Sequence, residues 1–373
     1  TPIRGTDVPL LLQAQWSSNG TTVAGGNDQG EQFNQLNLHL GLYVNDNETI
    51  YVTDFWNHRV VAWSAENTSS QVVAGGNRQG NAMNQLNQPT DVIIDRSTDT
   101  LLICDARNNR VVRWSNRGGI RGDIVLYGIE CYGLAMDDRG FLYVSVRDKH
   151  EVRRFKLGES HGARMAGGNG EGADLNQLNY PTYLFIDRNR SLYVSDPINC
   201  RVVKWVEGAK QGELVAGGHG EGNLLNQLSY PTGVLVDDKG TVYIADNGNH
   251  RVMRWPQGAT EGNVIVGGMG IGDNTNQLNG PKDEDSQEDD SDQNERTMNK
   301  RQGGYNVINK DLKCKIECVG KLRNPETGQG MSVIDATKAC KNICAIPSKK
   351  RQQKRAIAQQ KVQLRQKSLR ESH

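Results

Sequence analysis

The sequence predicts an all-β fold in which four-stranded sheets repeat along the chain and pack radially as the blades of a β-propeller. Three observations carry this reading. An apolar run ending in acid, followed by a polar turn, recurs at a spacing of roughly 50 residues, the range of repeat architectures. Its clearest copies are Ile50-Tyr51-Val52-Thr53-Asp54 with Asn57-His58-Arg59, and Val242-Tyr243-Ile244-Ala245-Asp246 with Asn249-His250-Arg251. A third reads Leu192-Tyr193-Val194-Ser195-Asp196 with Asn199-Cys200-Arg201. Each unit divides into four short apolar runs bounded by Gly, Asp and Asn, and no helical period competes with the alternation. Composition agrees, because 42 Gly against 5 Phe in 373 residues suits many short strands joined by turns.

The parts of a unit follow one order. A Gly-rich turn such as Val215-Ala216-Gly217-Gly218 leads into Asn-Gln-Leu-Asn, which begins at Asn34, Asn84, Asn176 and Asn276, with a variant at Asn226. Pro-Thr then opens a first strand, Gly233-Val234-Leu235-Val236 in the last copy. Val242-Tyr243-Ile244-Ala245 makes the second strand, Arg251-Val252-Met253-Arg254-Trp255 the third, and Val264-Ile265-Val266-Gly267 the fourth. The turn between the second and third strands has a physical reading. Asp at the strand end accepts backbone N–H bonds, while Asn and His tolerate the positive φ of a tight turn. Arg two residues beyond Asn reaches back to that Asp with a charge-assisted bond. Asp54, Asn57, His58, Arg59, Asp196, Asn199, Arg201, Asp246, Asn249, His250 and Arg251 are therefore expected to build the scaffold.

These residues resemble the NHL-repeat family, whose Asn-His-Leu signature falls on the turn filled here by Asn-His-Arg. The resemblance spans residues 21–281 and implies a propeller, six-bladed in most members. Complete units fall near residues 40–76, 90–128, 131–168, 181–218 and 231–268, giving five recognisable blades. The third keeps Leu142-Tyr143-Val144-Ser145 but replaces the usual turn with Asp148-Lys149-His150-Glu151. Residues 21–26 carry the signature of an outer strand with no inner strands ahead of it. In the family such an orphan strand closes the ring by completing the last blade. The missing strands should follow Pro281, yet Lys282-Asp283-Glu284-Asp285 and the acidic run beyond it cannot form them. The ring is expected to be open, closed by the tail or another chain, or five-bladed; otherwise the segment after Pro281 is joined from unrelated sequence. An open ring leaves a sheet edge for self-association.

The chain divides into a lead-in (1–20), the repeat propeller (21–281), an acidic linker (282–303), a Cys-rich helical hairpin (304–346) and a basic tail (347–373). The net charge of +1 conceals this division. Residues 1–281 are acidic by about 6 units, 282–296 by about 6 more, and the remainder is basic by about 13. Cys314-x-x-x-Cys318 and Cys340-x-x-x-Cys344 each place two thiols on one helical face. Antiparallel helices would pair Cys314 with Cys344 and Cys318 with Cys340 as disulfides, with a zinc site as the alternative. In the repeats, Cys104 on a second strand and Cys131 at the start of the next unit are placed to face each other. Cys200 takes the His position of its turn and is expected to be a lone thiol.

On such a propeller the turns between second and third strands, and the loops into the first strands, emerge on one face. There the residues that vary between copies gather: Trp56, Arg107, Arg147 and Asn247 from the turns, Tyr180 and Tyr230 from the loops. The aromatic members suggest a platform for a ligand. No Ser/His/Asp or Cys/His constellation is identifiable, and the Gly-rich stretches enter no helix, so no catalytic residue, metal or cofactor is expected. The expected function is a non-catalytic binding or scaffold module for a protein, peptide or glycan. The alternatives are a recognition module related to the propellers of tripartite-motif ubiquitin ligases and, behind it, a lyase or lactonase of the six-bladed kind. An acidic repeat region disfavours nucleic acid. No stretch is long and apolar enough for a transmembrane helix. Paired cysteines favour an extracellular or secreted location, with the cytoplasm as the alternative.

Overall fold

The computed structural model describes residues 16–17, 19–64, 70–116, 118–272 and 274–281. The acidic linker, the segment holding Cys314, Cys318, Cys340 and Cys344, and the basic tail lie outside the described residues. Within them, twenty strands form five antiparallel sheets of four, each a simple meander. Blade 1 holds β1 (His39–Val44), β2 (Ile50–Asp54), β3 (Arg59–Trp63) and β4 (Ser70–Gly75). Blade 2 holds β5 (Pro89–Asp95), β6 (Thr100–Asp105), β7 (Arg110–Ser115) and β8 (Gly122–Tyr127). Blade 3 holds β9 (Cys131–Met136), β10 (Phe141–Val146), β11 (Glu151–Lys156) and β12 (Ala163–Gly167). Blade 4 holds β13 (Leu184–Ile186), β14 (Leu192–Asp196), β15 (Arg201–Trp205) and β16 (Glu213–Gly217). Blade 5 holds β17 (Pro231–Val236), β18 (Val242–Asp246), β19 (Arg251–Trp255) and β20 (Asn263–Gly267).

Alternation along the strands builds the core between consecutive blades. On β14, Leu192 and Val194 pack towards blade 3, while Tyr193 packs towards blade 5. Phe185 and Val202 join Tyr193, meeting Val234, Ile244 and Met253 of the next sheet. Trp114 and Trp255, at the ends of their third strands, are almost completely buried. The innermost strands pack in sequence from β1 to β17; among the described residues no packing of comparable extent joins β17 to β1. The axis is filled where the first four blades meet. A Cβ on Gly41 would lie 2.5 Å from Asp91 Oδ1, and one on Gly133 only 2.4 Å from the Thr182 carbonyl. Tyr183 donates its hydroxyl across the centre to the Thr90 carbonyl at 3.1 Å.

The orphan closing strand expected at residues 21–26 is not a strand. An outer strand needs a third strand for its backbone bonds, and no sixth sheet exists among the described residues to supply one. The lead-in instead crosses to blade 5. Trp16 packs edge-on to Tyr243 with centroids 6.1 Å apart. The Gly20 amide donates to the Thr275 carbonyl, and the Thr275 hydroxyl donates to Asn19 Oδ1 at 3.1 Å.

Four of the five blades are approached through the same loop. In the copy at residues 77–87, Gln85 Nε2 donates to Asn77 O at 2.9 Å, and Gln79 bridges to Leu86 in parallel fashion. Leu86 is completely buried against Gly75, whose φ of 69° is open to glycine. A Cβ there would fall 2.4 Å from the His58 carbonyl. Blade 3 has no such loop, and residues 128–130 alone connect β8 to β9.

Candidate binding face

The Asp-Asn-Arg turn is a clamp on the approach loop of its own blade. Asp54 Oδ1 accepts the Asn37 amide at 2.7 Å, and Oδ2 accepts Asn57 Nδ2 at 2.8 Å and Arg59 Nε at 2.7 Å. The two terminal nitrogens of Arg59 donate to the carbonyls of Glu31, Gln32 and Gln35, and Asn57 donates also to Gly30. The same arrangement repeats at Asp105, Asn108 and Arg110, at Asp196, Asn199 and Arg201, and at Asp246, Asn249 and Arg251. Burial pushes the four Asp carboxyls up, while the Asn, Arg and backbone donors pull them back. In blade 3, which has no approach loop, Val146, Lys149 and Glu151 stand at the clamp positions, and Glu151 pairs with Arg153 at 2.6 Å.

The last residue of this turn reaches the chain that follows its blade. His58, His150 and His250 adopt φ of 52°, 51° and 53°. Their Nδ1 atoms accept the amides of Gln88, Tyr180 and Gly280 at 3.1, 3.2 and 2.8 Å, which requires the proton on Nε2. Cys200 fills this position in blade 4 as a buried free thiol, raised by burial, and accepts the Tyr230 amide. Asn takes positive φ in this turn where it fills the last position, as Asn109 does at 50°, whereas Asn57 and Asn249 serve as side-chain donors.

Burial pushes His58 below the ordinary imidazole value, against the opposing charge of Asp105. The unfolded chain takes up a proton there below about pH 6.5 while the folded chain does not, so stability is expected to fall with pH in that range. His58→Asn should flatten this part of the profile, since Asn109 already occupies the equivalent left-handed position at φ 50°. Urea unfolding on either side of that range checks it; an unchanged slope in the variant would assign the effect to another group.

The blades bring two sets of variable positions to one face. The approach positions are Leu38, Gln88, Glu130, Tyr180 and Tyr230. The turns contribute Phe55-Trp56, Ala106-Arg107, Arg147-Asp148, Pro197-Ile198 and Asn247-Gly248. Arg147 is the hub. Its guanidinium lies 5.1 Å from the Tyr132 centroid and 5.5 Å from that of Tyr180, and it donates to the Tyr230 hydroxyl at 3.5 Å. His150 meets Tyr180 edge-on at 4.7 Å. Arg107 donates to Gln88 Oε1 at 2.9 Å. Glu130 is held up by burial and then by the neighbouring Asp148 carboxyl, with Arg107 and Arg147 acting against both.

Arg147, Tyr180 and Tyr230 are thus brought together, with Arg107 beside them through Glu130. Trp56 stands on blade 1 against Phe55, 5.1 Å between centroids, and is half exposed. Asn247 is buried on blade 5, its Nδ2 without a hydrogen-bond partner among the described residues. The sequence reading missed Glu130, Tyr132 and Asp148. Their signal was the register itself: Glu130-Cys131-Tyr132 occupies the places of Gln88-Pro89-Thr90, without the Asn-Gln-Leu-Asn flag that marks the other copies. Cys104 and Cys131 form the expected disulfide, with Cα atoms 5.7 Å apart. Two surface clefts of about 340 and 370 Å³ lie beside the outer strand β16; the second reaches Ile198 and Cys200 of the blade 4 turn, and Arg147 lines neither.

No curated protein sequence matches the chain. Solved structures do. A protein of unknown function from Bacteroides thetaiotaomicron is similar over 70% of this chain and 69% of its own, at 16% identity and a TM-score of 0.57. An auxiliary nutrient binding protein from the same organism is similar over 70% and 69%, at 13% identity and a TM-score of 0.53. A virginiamycin B lyase from Staphylococcus aureus is similar over 61% and 68%, at 10% identity and a TM-score of 0.42. Likeness at such identities is likeness of fold. The family model for the NHL repeat matches residues 40–63 and 228–255, which hold β2 and β3 of blade 1 and β18 and β19 of blade 5. Four of the five blades are built on one clamped turn, and the chain is a β-propeller that carries NHL repeats.

Proposed function

We propose that this propeller is a non-catalytic recognition module that binds a protein, peptide or glycan on its loop face, outside the cytosol. The convergence of blades 3, 4 and 5 on the Arg147 guanidinium carries the reading. Specificity on a repeat scaffold resides where copies differ while the clamp beneath stays constant. Tyr180 and Tyr230 support it further. Both sit at φ near 50°, as do Leu38 and Gln88 at the same approach position, so the repeat fixes where each ring is presented. The Cys104–Cys131 disulfide supports an oxidising compartment.

Arrays of peptides, folded ectodomains and oligosaccharides test the reading. The bound class should weaken by about tenfold or more on Arg107→Ala or Trp56→Ala. It should be indifferent to Val206→Ala, in a turn between third and fourth strands at the opposite end of the blades. Binding that depends on Val206 and not on Arg107 or Trp56 would move the site off the loop face.

A further inference from the structure

We infer that the loop face of blades 2 to 5 is a saccharide site, in which Glu130, Asp148 and Arg107 bond sugar hydroxyls and the Tyr180 ring stacks against a sugar face. The inference rests on the loop-face reading above and narrows its ligand. The first observation is charge. Arg107 and Arg147 face Glu130 and Asp148 within one electrostatic cluster, so the hub is polar yet locally balanced. A strongly charged ligand of either sign would meet repulsion there. A polyhydroxylated neutral one finds planar donors and planar acceptors side by side, and each hydroxyl can both donate and accept.

The second observation is the ring. Tyr180 is 39% exposed; its backbone is held by the bond to His150, Arg147 lies over one face of the ring and His150 meets the ring edge-on, which leaves the rest of the ring to solvent. An exposed aromatic face whose orientation is already set loses little freedom on binding. The third is Asn247, 8% exposed on the same face, whose Nδ2 has no hydrogen-bond partner among the described residues. A buried donor left unpaired is costly, and a ligand oxygen or an ordered water satisfies it. The fourth is the distribution of apolar surface. Trp56 and Ile198 are exposed singly on the turns of different blades, whereas the fully buried centre of a protein interface is apolar.

The carboxyl pair gives the site its chemistry. Burial and the nearness of Asp148 hold Glu130 above the usual carboxylate range. A ligand hydroxyl beside them donates to a carboxyl oxygen and accepts from Arg107, without adding charge.

The full chain, with its disulfide intact, is to be probed against a printed array of neutral and acidic oligosaccharides, and the strongest binder titrated by calorimetry. A neutral oligosaccharide should bind, and Asp148→Asn and Tyr180→Ala should each weaken it by about tenfold or more. Thermal unfolding of the two variants, unchanged from the parent, separates this from loss of fold. No bound oligosaccharide, or binding indifferent to both substitutions, overturns the inference. If a peptide array returns a ligand sensitive to the same two substitutions, the loop-face reading stands and the saccharide falls. If peptides bind but ignore them, both fall.

Discussion

Arg110→Ala is expected to destabilise the propeller by about 3–5 kcal/mol, the cost of leaving a buried charge without its partner. Asp105 is fully buried and receives Arg110 Nε at 2.7 Å. The rest of the guanidinium satisfies the carbonyls of Asn81, Ala82 and Gln85, so one substitution takes the counter-charge from a buried carboxylate and a donor from three carbonyls together. Arg110→Lys should rescue little, because an ammonium cannot present the planar fork that spans the carboxylate and the loop. Blade 3 provides the control. Lys149 occupies the clamp position of Asn108 but is exposed, so Lys149→Ala should stay within about 0.5 kcal/mol. Asn108, by contrast, donates to Asp105 Oδ2 at 2.8 Å and to the Gly80 carbonyl at 2.9 Å, and its loss should cost clearly more. Urea unfolding of the four variants gives the comparison. Equal small losses at Arg110 and Lys149 would mean that the clamp is decoration on a sheet held by other forces.

What was legible in the sequence was whatever the repeat states several times. The four strands of each blade, the bond from Arg to Asp, and the survival of the third unit as a blade all follow from period-two patterning and turn chemistry. The register of Val242-Tyr243-Ile244 against Met253-Arg254-Trp255 needed no tertiary information. The same reasoning failed where a segment depends on a partner elsewhere. Residues 21–26 look like an outer strand because the local pattern is that of β4, yet a strand exists only where another offers its backbone. The hub was legible in part. Arg147, Tyr180 and Tyr230 stood out as variable positions, but Glu130 and Tyr132 did not, since the motif that announces the approach position is missing before blade 3. Nothing local says that residues 83 apart, Arg147 and Tyr230, meet across the face. The positive φ of Gln88, Tyr180 and Tyr230 was equally hidden, because those side chains do not advertise that conformation.

Removing the Cys104–Cys131 disulfide is expected to cost about 3 kcal/mol, the loop-closure entropy that a bridge of this span withholds from the unfolded chain. The two cysteines are 27 residues apart and completely or almost completely buried. Their position explains why this junction has a bridge. Blades 1, 2, 4 and 5 are each tied to the loop that approaches them by an Asp-Asn-Arg clamp. Blade 3 has lost loop and clamp together, and the covalent link from β6 to the start of β9 holds blades 2 and 3 at that point. Loss of the bond should therefore be felt locally as well as globally. Glu130 precedes Cys131, so the side chains around Arg107 and Arg147 should loosen with it. Hydrogen exchange in Cys104→Ala/Cys131→Ala should quicken first at the amides of Ile129, Cys131 and Leu134, ahead of blade 5. Reductant should reproduce the effect in the parent chain and leave the variant unchanged. Uniform quickening across all five blades would instead show a bridge that acts only on the unfolded state, with no part in joining these two blades.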